Sequence, residues 1–137
     1  EAAPLPYCYL SISEREIIMT KPLALIIEDD PQLSTIVSIT LQADFEIETC
    51  TDGNAGLERL AQTIPNVVIL DLNLPGVSGR KILESIRADQ RLAKTRVILT
   101  TADERQAEFL RDEADITLLK PVSPAQLREL AVRLRSK

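Results

Sequence analysis

The sequence predicts an α/β domain built on a doubly wound, parallel, five-stranded sheet. Short runs of strand-forming residues alternate with amphipathic segments of helical period along most of the chain. The runs end near residues 29, 50, 71, 101 and 120, and these intervals leave room for one helix between successive strands. Four of the five runs are continuously apolar, which is typical of strands covered by helices on both faces. The expected architecture is therefore a three-layer α/β/α sandwich with right-handed crossovers.

Each strand is predicted from residue type and period. The second run alternates charged and uncharged residues, which indicates an edge strand with one face in water. The other four runs are apolar and partly β-branched, as expected for strands that helices cover on both faces. In chain order the five runs are residues 23–27, 45–49, 67–70, 97–99 and 116–119.

The helices are predicted from apolar stripes and from start signals. Pro31 lies where a helix tolerates proline best, in its first turn, and Ser78 and Ser123 are suited to cap later helices. Apolar residues three or four positions apart give each helix one face for the sheet. The stripes are Leu33, Ile36, Val37, Thr40 and Leu41; Leu57, Leu60 and Ala61; Ile82, Leu83 and Ile86; and Leu127, Leu130, Ala131 and Leu134.

Composition narrows the range of functions. The 137 residues fit one domain, and the net charge of −5 argues against direct nucleic-acid binding by this domain. The chain contains no histidine, which excludes a histidine base, a phosphohistidine or an imidazole metal ligand of its own. Two cysteines are too few for a disulfide scaffold, and no apolar run is long enough to cross a membrane, so a reduced, cytoplasmic setting is expected.

Residues 1–20 differ from the rest of the chain. They contain two prolines and a short apolar cluster without a sustained period, and the only methionine, Met19, stands just before the first strand. Two interpretations remain open. Either residues 1–18 come from an upstream start or an added segment, or they form a short native arm. In both cases residues 21–137 are expected to form the domain.

Chemically active residues follow three of the five predicted strands. Asp29 and Asp30 follow the first, Asp71 the third and Lys120 the fifth, while Thr101 ends the fourth. Ligands of such sheets bind beyond the carboxyl ends of the strands, so these side chains are expected to meet. Carboxylates about 4 Å apart repel by roughly 4 kcal/mol at an effective dielectric near 20. A cation is therefore expected, and carboxylate oxygens suit Mg2+.

The expected site fits an incoming phosphoryl group. Lys120 adds a second positive charge beside the metal, and Thr101 can donate one hydrogen bond. Each residue also has an ordinary structural explanation: Asp30 before Pro31 suits a helix N-cap, and a lysine before a proline is often only solvated. The joint occurrence of these residues at these intervals favours the site.

Four sequence blocks make the chain resemble the receiver domains of two-component response regulators. They are Ile27-Glu28-Asp29-Asp30; Asp71-Leu72-Asn73-Leu74-Pro75-Gly76-Val77-Ser78-Gly79; Thr101-Ala102; and Lys120-Pro121. The resemblance covers about residues 21–137. It implies five helices around five strands in the flavodoxin-like order 2-1-3-4-5. It also implies that Asp71 accepts a phosphoryl group from a phosphohistidine on a sensor histidine kinase or a phosphotransfer protein.

The resemblance further implies roles for individual residues. Mg2+ is expected on Asp30, Asp71 and the backbone carbonyl of Asn73, with Asp29 acting largely through water. Thr101 corresponds to the switch hydroxyl and Lys120 to the lysine that pairs with the phosphoryl group. The domain is then expected to assist only its own phosphoryl transfer and autodephosphorylation, without a separate turnover reaction.

The chain departs from the family pattern at three positions. Thr117 stands where an aromatic residue is usual, so the family's inward swing of a ring cannot occur. Glu113 replaces a common glycine and the interval from Thr101 to Lys120 is short, which predicts an abbreviated fourth helix or loop. Val77 replaces a frequent methionine.

Other functions are also consistent with part of the pattern. A receiver-like binding module with weak or absent phospho-switching is the main alternative, because of Thr117. A phosphatase of the haloacid dehalogenase type would use Asp71 as nucleophile, but it needs a carboxylate where Asn73 stands. A nucleotide-binding domain is disfavoured because the chain has neither a G-x-G-x-x-G nor a Walker loop. The output partner cannot be predicted from the sequence.

Overall fold

The computed structural model describes residues 21–135, so the expected extension at 1–20 lies outside the described residues. Five strands form a single sheet in which every pairing is parallel. The strands are β1 Leu23–Ile27, β2 Glu46–Cys50, β3 Val67–Asp71, β4 Arg96–Thr101 and β5 Ile116–Leu119. The strand order is β2-β1-β3-β4-β5, which confirms the predicted order 2-1-3-4-5.

The domain has five α-helices, as predicted; four connect successive strands and the fifth follows the last strand. Pro31 occupies the first turn of the first helix, and Ser78 and Ser123 accept hydrogen bonds from backbone N–H groups at the starts of the third and fifth helices. The helices are α1 Pro31–Leu41, α2 Gly53–Gln62, α3 Gly79–Ala88, α4 Glu104–Phe109 and α5 Pro124–Arg135, with a 3-10 turn at Gln90–Leu92. The fourth helix has only six residues, which confirms its predicted abbreviation. Within residues 21–135, no helix combines the length and apolar character needed to span a bilayer.

Two hydrophobic clusters fill the two faces of the sheet. Alternate residues of β1 divide between them, so that Ile27 packs with the helices on one side and Ile26 with those on the other. The central strand β3 is buried along its whole length. This pattern is the expected one for a parallel sheet with helices on both faces, and it leaves the carboxyl ends of the strands open to a ligand.

The stripe predicted on α1 is only partly covered. Leu41 is buried, but Ile36 is 48% exposed. A groove of about 590 Å³ runs between α1 and α5, and Leu33 and Val37 line it together with Leu127. One end of this groove reaches the carboxyl edge of the sheet, at Asp71.

A charged network fixes the start of β5. The Asp115 carboxylate accepts a hydrogen bond of 2.7 Å from the backbone N–H of Val97 and forms ion pairs with Arg87 and Arg96. Burial alone would raise the pKa of Asp115, but these hydrogen bonds and charges hold it below its ordinary value. The network thus links α3, β4 and the start of β5, in a segment where Glu113 stands in place of the family's common glycine.

Candidate functional site

Three acids meet at the carboxyl edge of the sheet. Glu28 and Asp29 follow β1, and Asp71 ends the adjacent strand β3. One carboxylate oxygen from each lies within 4.8 Å of the others. Glu28 and Asp71 are buried, whereas Asp29 is exposed to solvent. The cluster therefore has a dry side in the sheet and a wet side from which an ion or a phosphoryl group can enter.

The backbone around Asp71 is tightly constrained. The Oδ1 atom of Asp71 accepts a hydrogen bond of 3.0 Å from the Asn73 N–H. This hydrogen bond turns the chain sharply after β3. Gly79, the first residue of α3, packs directly on this segment: a Cβ there would lie 2.3 Å from the Asp71 carbonyl oxygen. Gly76, between them, has φ +75°, a conformation that suits glycine. The loop thus fixes Asp71 at the carboxyl edge of the sheet.

Lys120 bridges the two buried acids. Its Nζ atom donates to Glu28 Oε1 at 3.1 Å and to Asp71 Oδ2 at 3.2 Å. Lys120 directly follows β5, two strands from Asp71 in the sheet, so the long side chain reaches across the carboxyl end of β4. The lysine brings one positive charge to a cluster of three acids, and an excess of negative charge remains.

The pKa values of Glu28 and Lys120 both depart from their ordinary values. The pKa of Glu28 is raised to about 7, chiefly by burial. Hydrogen bonding to Asp71 raises this pKa further, whereas the hydrogen bond with Lys120 lowers it. Burial lowers the pKa of Lys120, but its hydrogen bond to Glu28 and the charge of Asp71 outweigh that effect and raise it above its ordinary value. Lys120 therefore stays charged, and the Glu28 carboxyl gains and loses its proton near neutral pH, where a cation favours the ionised form.

Asp30 does not join the acid cluster. Its side chain caps α1, where Oδ1 accepts hydrogen bonds from the N–H groups of Gln32 at 2.9 Å and Leu33 at 3.4 Å. Glu28 occupies the place in the cluster that was predicted for Asp30. The burial of Glu28 beside the central strand could be anticipated from its position directly after the apolar run. The cap could be anticipated from the proline that follows Asp30.

Thr101 lies at the end of β4 and is fully buried. Its hydroxyl donates to Gln106 Oε1 at 3.3 Å and accepts a hydrogen bond of 3.0 Å from the Asp103 N–H. Neither bond involves Asp71. The structure therefore brings Thr101 to the expected edge of the sheet but directs its hydroxyl toward α4.

Thr117 has an unusual environment in β5. It pairs in register with Leu99 of β4, on the face of the sheet that also carries Thr101. Its hydroxyl is buried and, among residues 21–135, has no hydrogen-bond partner. A buried hydroxyl without a partner costs stability, so this position holds unused hydrogen-bonding capacity beneath α4.

Fold and site together define a class of protein. A parallel doubly wound sheet places a buried acid at the end of its central strand, with a lysine on one side and two acids on the other. Such a site can neutralise the charge of a phosphoryl group with a lysine and a divalent cation. The arrangement is that of a phosphoacceptor domain.

The chain belongs to the response regulator receiver domain family, whose model matches residues 24–132. It is 34% identical over 119 residues to the DNA-binding dual master transcriptional regulator RpaA of Synechocystis, covering 84% of this chain and 48% of that protein. It is 32% identical over 110 residues to the phosphate regulon regulatory protein PhoB of Rhizobium meliloti, covering 77% and 48%. The chain thus spans about half the length of these curated relatives.

Solved structures agree with this assignment. The chemotaxis response regulator CheY4 of Vibrio cholerae superposes with a TM-score of 0.77 at 26% identity, covering 84% of this chain and 99% of that one. The family consists of phosphoacceptor signalling domains of two-component systems, so this function is favoured over a receiver-like module without phosphorylation. Receiver domains bind Mg2+ at an acidic pocket, and response regulators work with sensor histidine kinases.

Proposed function

We propose that Asp71 accepts a phosphoryl group from a phosphohistidine on a sensor histidine kinase or a phosphotransfer protein. The observation that carries this proposal is the pairing of the buried Asp71 carboxylate with Lys120 at 3.2 Å, beside two further acids. A lysine so placed keeps a dianionic group close to a carboxylate that would otherwise repel it. Asp29, and Glu28 beside the same lysine, are then placed to hold a cation.

The donor set fits Mg2+. Asp29, Asp71 and the backbone carbonyl of Asn73 are the proposed ligands, and Glu28 replaces Asp30 as the further acid, either in contact or through water. This choice rests on the three clustered carboxylates and on the capping role of Asp30. Bound Mg2+ supplies positive charge beside the phosphoryl oxygens. Hard oxygen donors with one exposed side suit an ion that keeps several waters.

The transfer itself needs little from the protein beyond charge and position. A carboxylate oxygen of Asp71 forms a bond to phosphorus while the bond from phosphorus to the donor imidazole nitrogen breaks, and the imidazole keeps the electron pair and takes up a proton. The Lys120 ammonium group pairs with the negatively charged phosphoryl oxygens, and Thr101 donates a hydrogen bond to one of them. We propose no separate turnover reaction. The domain's own phosphorylation and dephosphorylation are its chemistry.

We further propose that the domain, residues 21–137, signals by protein contact. The net charge of −5 of the whole chain opposes direct binding to nucleic acid. The relatives differ in what accompanies their receiver, since they include both RpaA, described as DNA-binding, and the hybrid histidine kinase D of Dictyostelium discoideum. A cytoplasmic setting is supported by the buried Cys50, which forms no disulfide within residues 21–135.

Phosphoryl transfer from a radiolabelled donor tests the acceptor. We expect labelling by a phosphohistidine protein or by acetyl phosphate in the presence of Mg2+, and none for Asp71→Asn. Asp52→Asn, which removes a carboxylate that caps α2 outside the cluster, is the matched control and is expected to be labelled like wild type. Equal labelling of wild type and Asp71→Asn would exclude Asp71 as the acceptor.

A further inference from the structure

Helix α4 contacts the sheet through polar groups at its start and is followed by the buried Leu110. It has six residues, none of them buried. Asp103 caps the helix by accepting hydrogen bonds from the N–H groups of Arg105 and Gln106. The Thr101 hydroxyl accepts from the Asp103 N–H and donates to Gln106 Oε1. One buried hydroxyl of β4 thus contacts both the cap and the first turn of α4.

Thr101 cannot serve Gln106 and a phosphoryl group at the same time. A threonine hydroxyl carries a single hydrogen, and in this structure it points to Gln106 Oε1 at 3.3 Å. That distance is long for a hydrogen bond between two oxygens, whereas a charged phosphoryl oxygen makes a shorter and stronger one. On the proposed function of Asp71, on which this step rests, phosphorylation therefore takes the hydrogen away from Gln106.

We propose that Gln106 is a positioning residue that links the state of Asp71 to the position of α4. Before phosphorylation its side-chain oxygen holds the Thr101 hydroxyl away from Asp71. After phosphorylation Gln106 loses this bond, and α4 loses a side-chain contact with the sheet. None of the six residues of α4 is buried, and the buried Leu110 follows its C-terminal end, so a change in polar contacts acts on the start of the helix.

The surroundings give α4 a second arrangement to adopt. The Thr117 hydroxyl lies on the same face of the sheet as Thr101 and lacks a partner within residues 21–135. A shifted α4 that supplied a polar group there would gain a hydrogen bond that is missing now. Gln106 also lines a groove between α3 and α4, where the Arg80 guanidinium lies 4.9 Å from the centre of the Phe109 ring. Movement of α4 would change this exposed surface.

Titration of 15N-labelled protein with beryllofluoride and Mg2+, followed by NMR, tests the proposal. In wild type we expect amide shifts at Asp71 and across residues 103–110. Gln106→Met keeps the helix propensity and length of the side chain but removes the acceptor. We expect this variant to bind beryllofluoride about two- to five-fold more tightly, as for the loss of one competing neutral hydrogen bond. Its shifts across α4 should fall to less than half of those in wild type.

Three further variants separate positioning from a general structural effect. Gln106→Glu keeps an acceptor for Thr101 and is expected to return the affinity to the wild-type value or below it. Gln126→Met makes the same change at an exposed position of α5 and should alter neither affinity nor shifts. In a Thr101→Val background, Gln106→Met should have no further effect on affinity, because the competing hydroxyl is gone.

The outcomes are distinguishable. Wild-type affinity and full α4 shifts in Gln106→Met would overturn the role of Gln106, as would an effect of the same size in the Thr101→Val background. If wild type itself gave no shift at Asp71, the proposed phosphoacceptor function would fail instead. Amide dispersion of each free variant shows that it is folded before the comparison is made.

Discussion

Replacing Glu28 by glutamine is expected to change how folding stability depends on pH. Burial raises the pKa of Glu28 to about 7, the nearby Asp71 carboxyl adds to the rise and Lys120 opposes it. The folded protein therefore binds this proton more firmly than the unfolded chain does. The resulting stability is fully present below the ordinary value of 4.5 and is lost as the pH rises through about 7. A tenfold change in proton affinity is worth about 1.4 kcal/mol, so the loss amounts to about 3 kcal/mol.

Glutamine removes the titration while keeping the shape. Its amide can accept a hydrogen bond from Lys120 and donate one to Asp71, as a neutral glutamic acid does. In buffer with a chelator, we expect Glu28→Gln and wild type to agree within about 1 kcal/mol near pH 5, and the variant to be about 3 kcal/mol more stable near pH 8. Urea unfolding followed by far-UV circular dichroism measures both values. Glu58→Gln, at an exposed position of α2, is the matched control.

Mg2+ should reduce or reverse this difference. At about pH 8 the ion neutralises an ionised Glu28 that is otherwise buried at a cost, so wild type should gain more stability from Mg2+ than the variant does. The same slope of stability against pH in both proteins between about pH 5 and pH 8 would refute the reasoning. It would mean that the Glu28 carboxyl is not desolvated in the folded state.

Three other substitutions test separate features. Asp115→Asn should destabilise the domain by about 1–2 kcal/mol at neutral pH, because the hydrogen bond from Val97 and two arginines hold the pKa of Asp115 low. This stabilisation is present above the ordinary pKa of 3.8 and is lost as the pH falls through the lower pKa of the folded state. Urea unfolding should therefore show the stability difference between wild type and variant shrinking in acid. Gly79→Ala should lower the midpoint of thermal unfolding and slow phosphorylation by acetyl phosphate, since its Cβ would meet the Asp71 carbonyl oxygen at 2.3 Å; an unchanged protein would show that this contact relaxes freely. Thr117→Val should stabilise the domain by about 1 kcal/mol in thermal unfolding, because it removes a buried hydroxyl that has no partner within residues 21–135.

The fold could be predicted because its signals are local and repeated. Continuous apolar runs, a proline in the first turn of α1 and serine caps each specify one element, and together they specify a parallel sheet. The short fourth helix could also be predicted, from the interval between Thr101 and Lys120. These features depend on period and spacing, which the sequence shows directly.

The sequence could predict that acids after β1 join the site, but it misassigned by one position which of the three acids do so. Three consecutive acids follow the strand, and a shift of one position moves a side chain to the opposite face or into the next helix. The structure places Glu28 in the cluster and uses Asp30 as a cap. The bond between Thr101 and Gln106 could not be predicted either, because it depends on a side-chain orientation that no period encodes.

The shortness of α4 has a consequence for how the domain opens. An element of six residues without a buried side chain has a low free energy of local opening, whereas β3, buried throughout, opens only with the whole domain. Amide hydrogens of α4 should therefore exchange with solvent orders of magnitude faster than those of β3. A signal that acts on α4 has to supply only this small local free energy, so the sheet that positions the acids can stay rigid while the surface beside it changes.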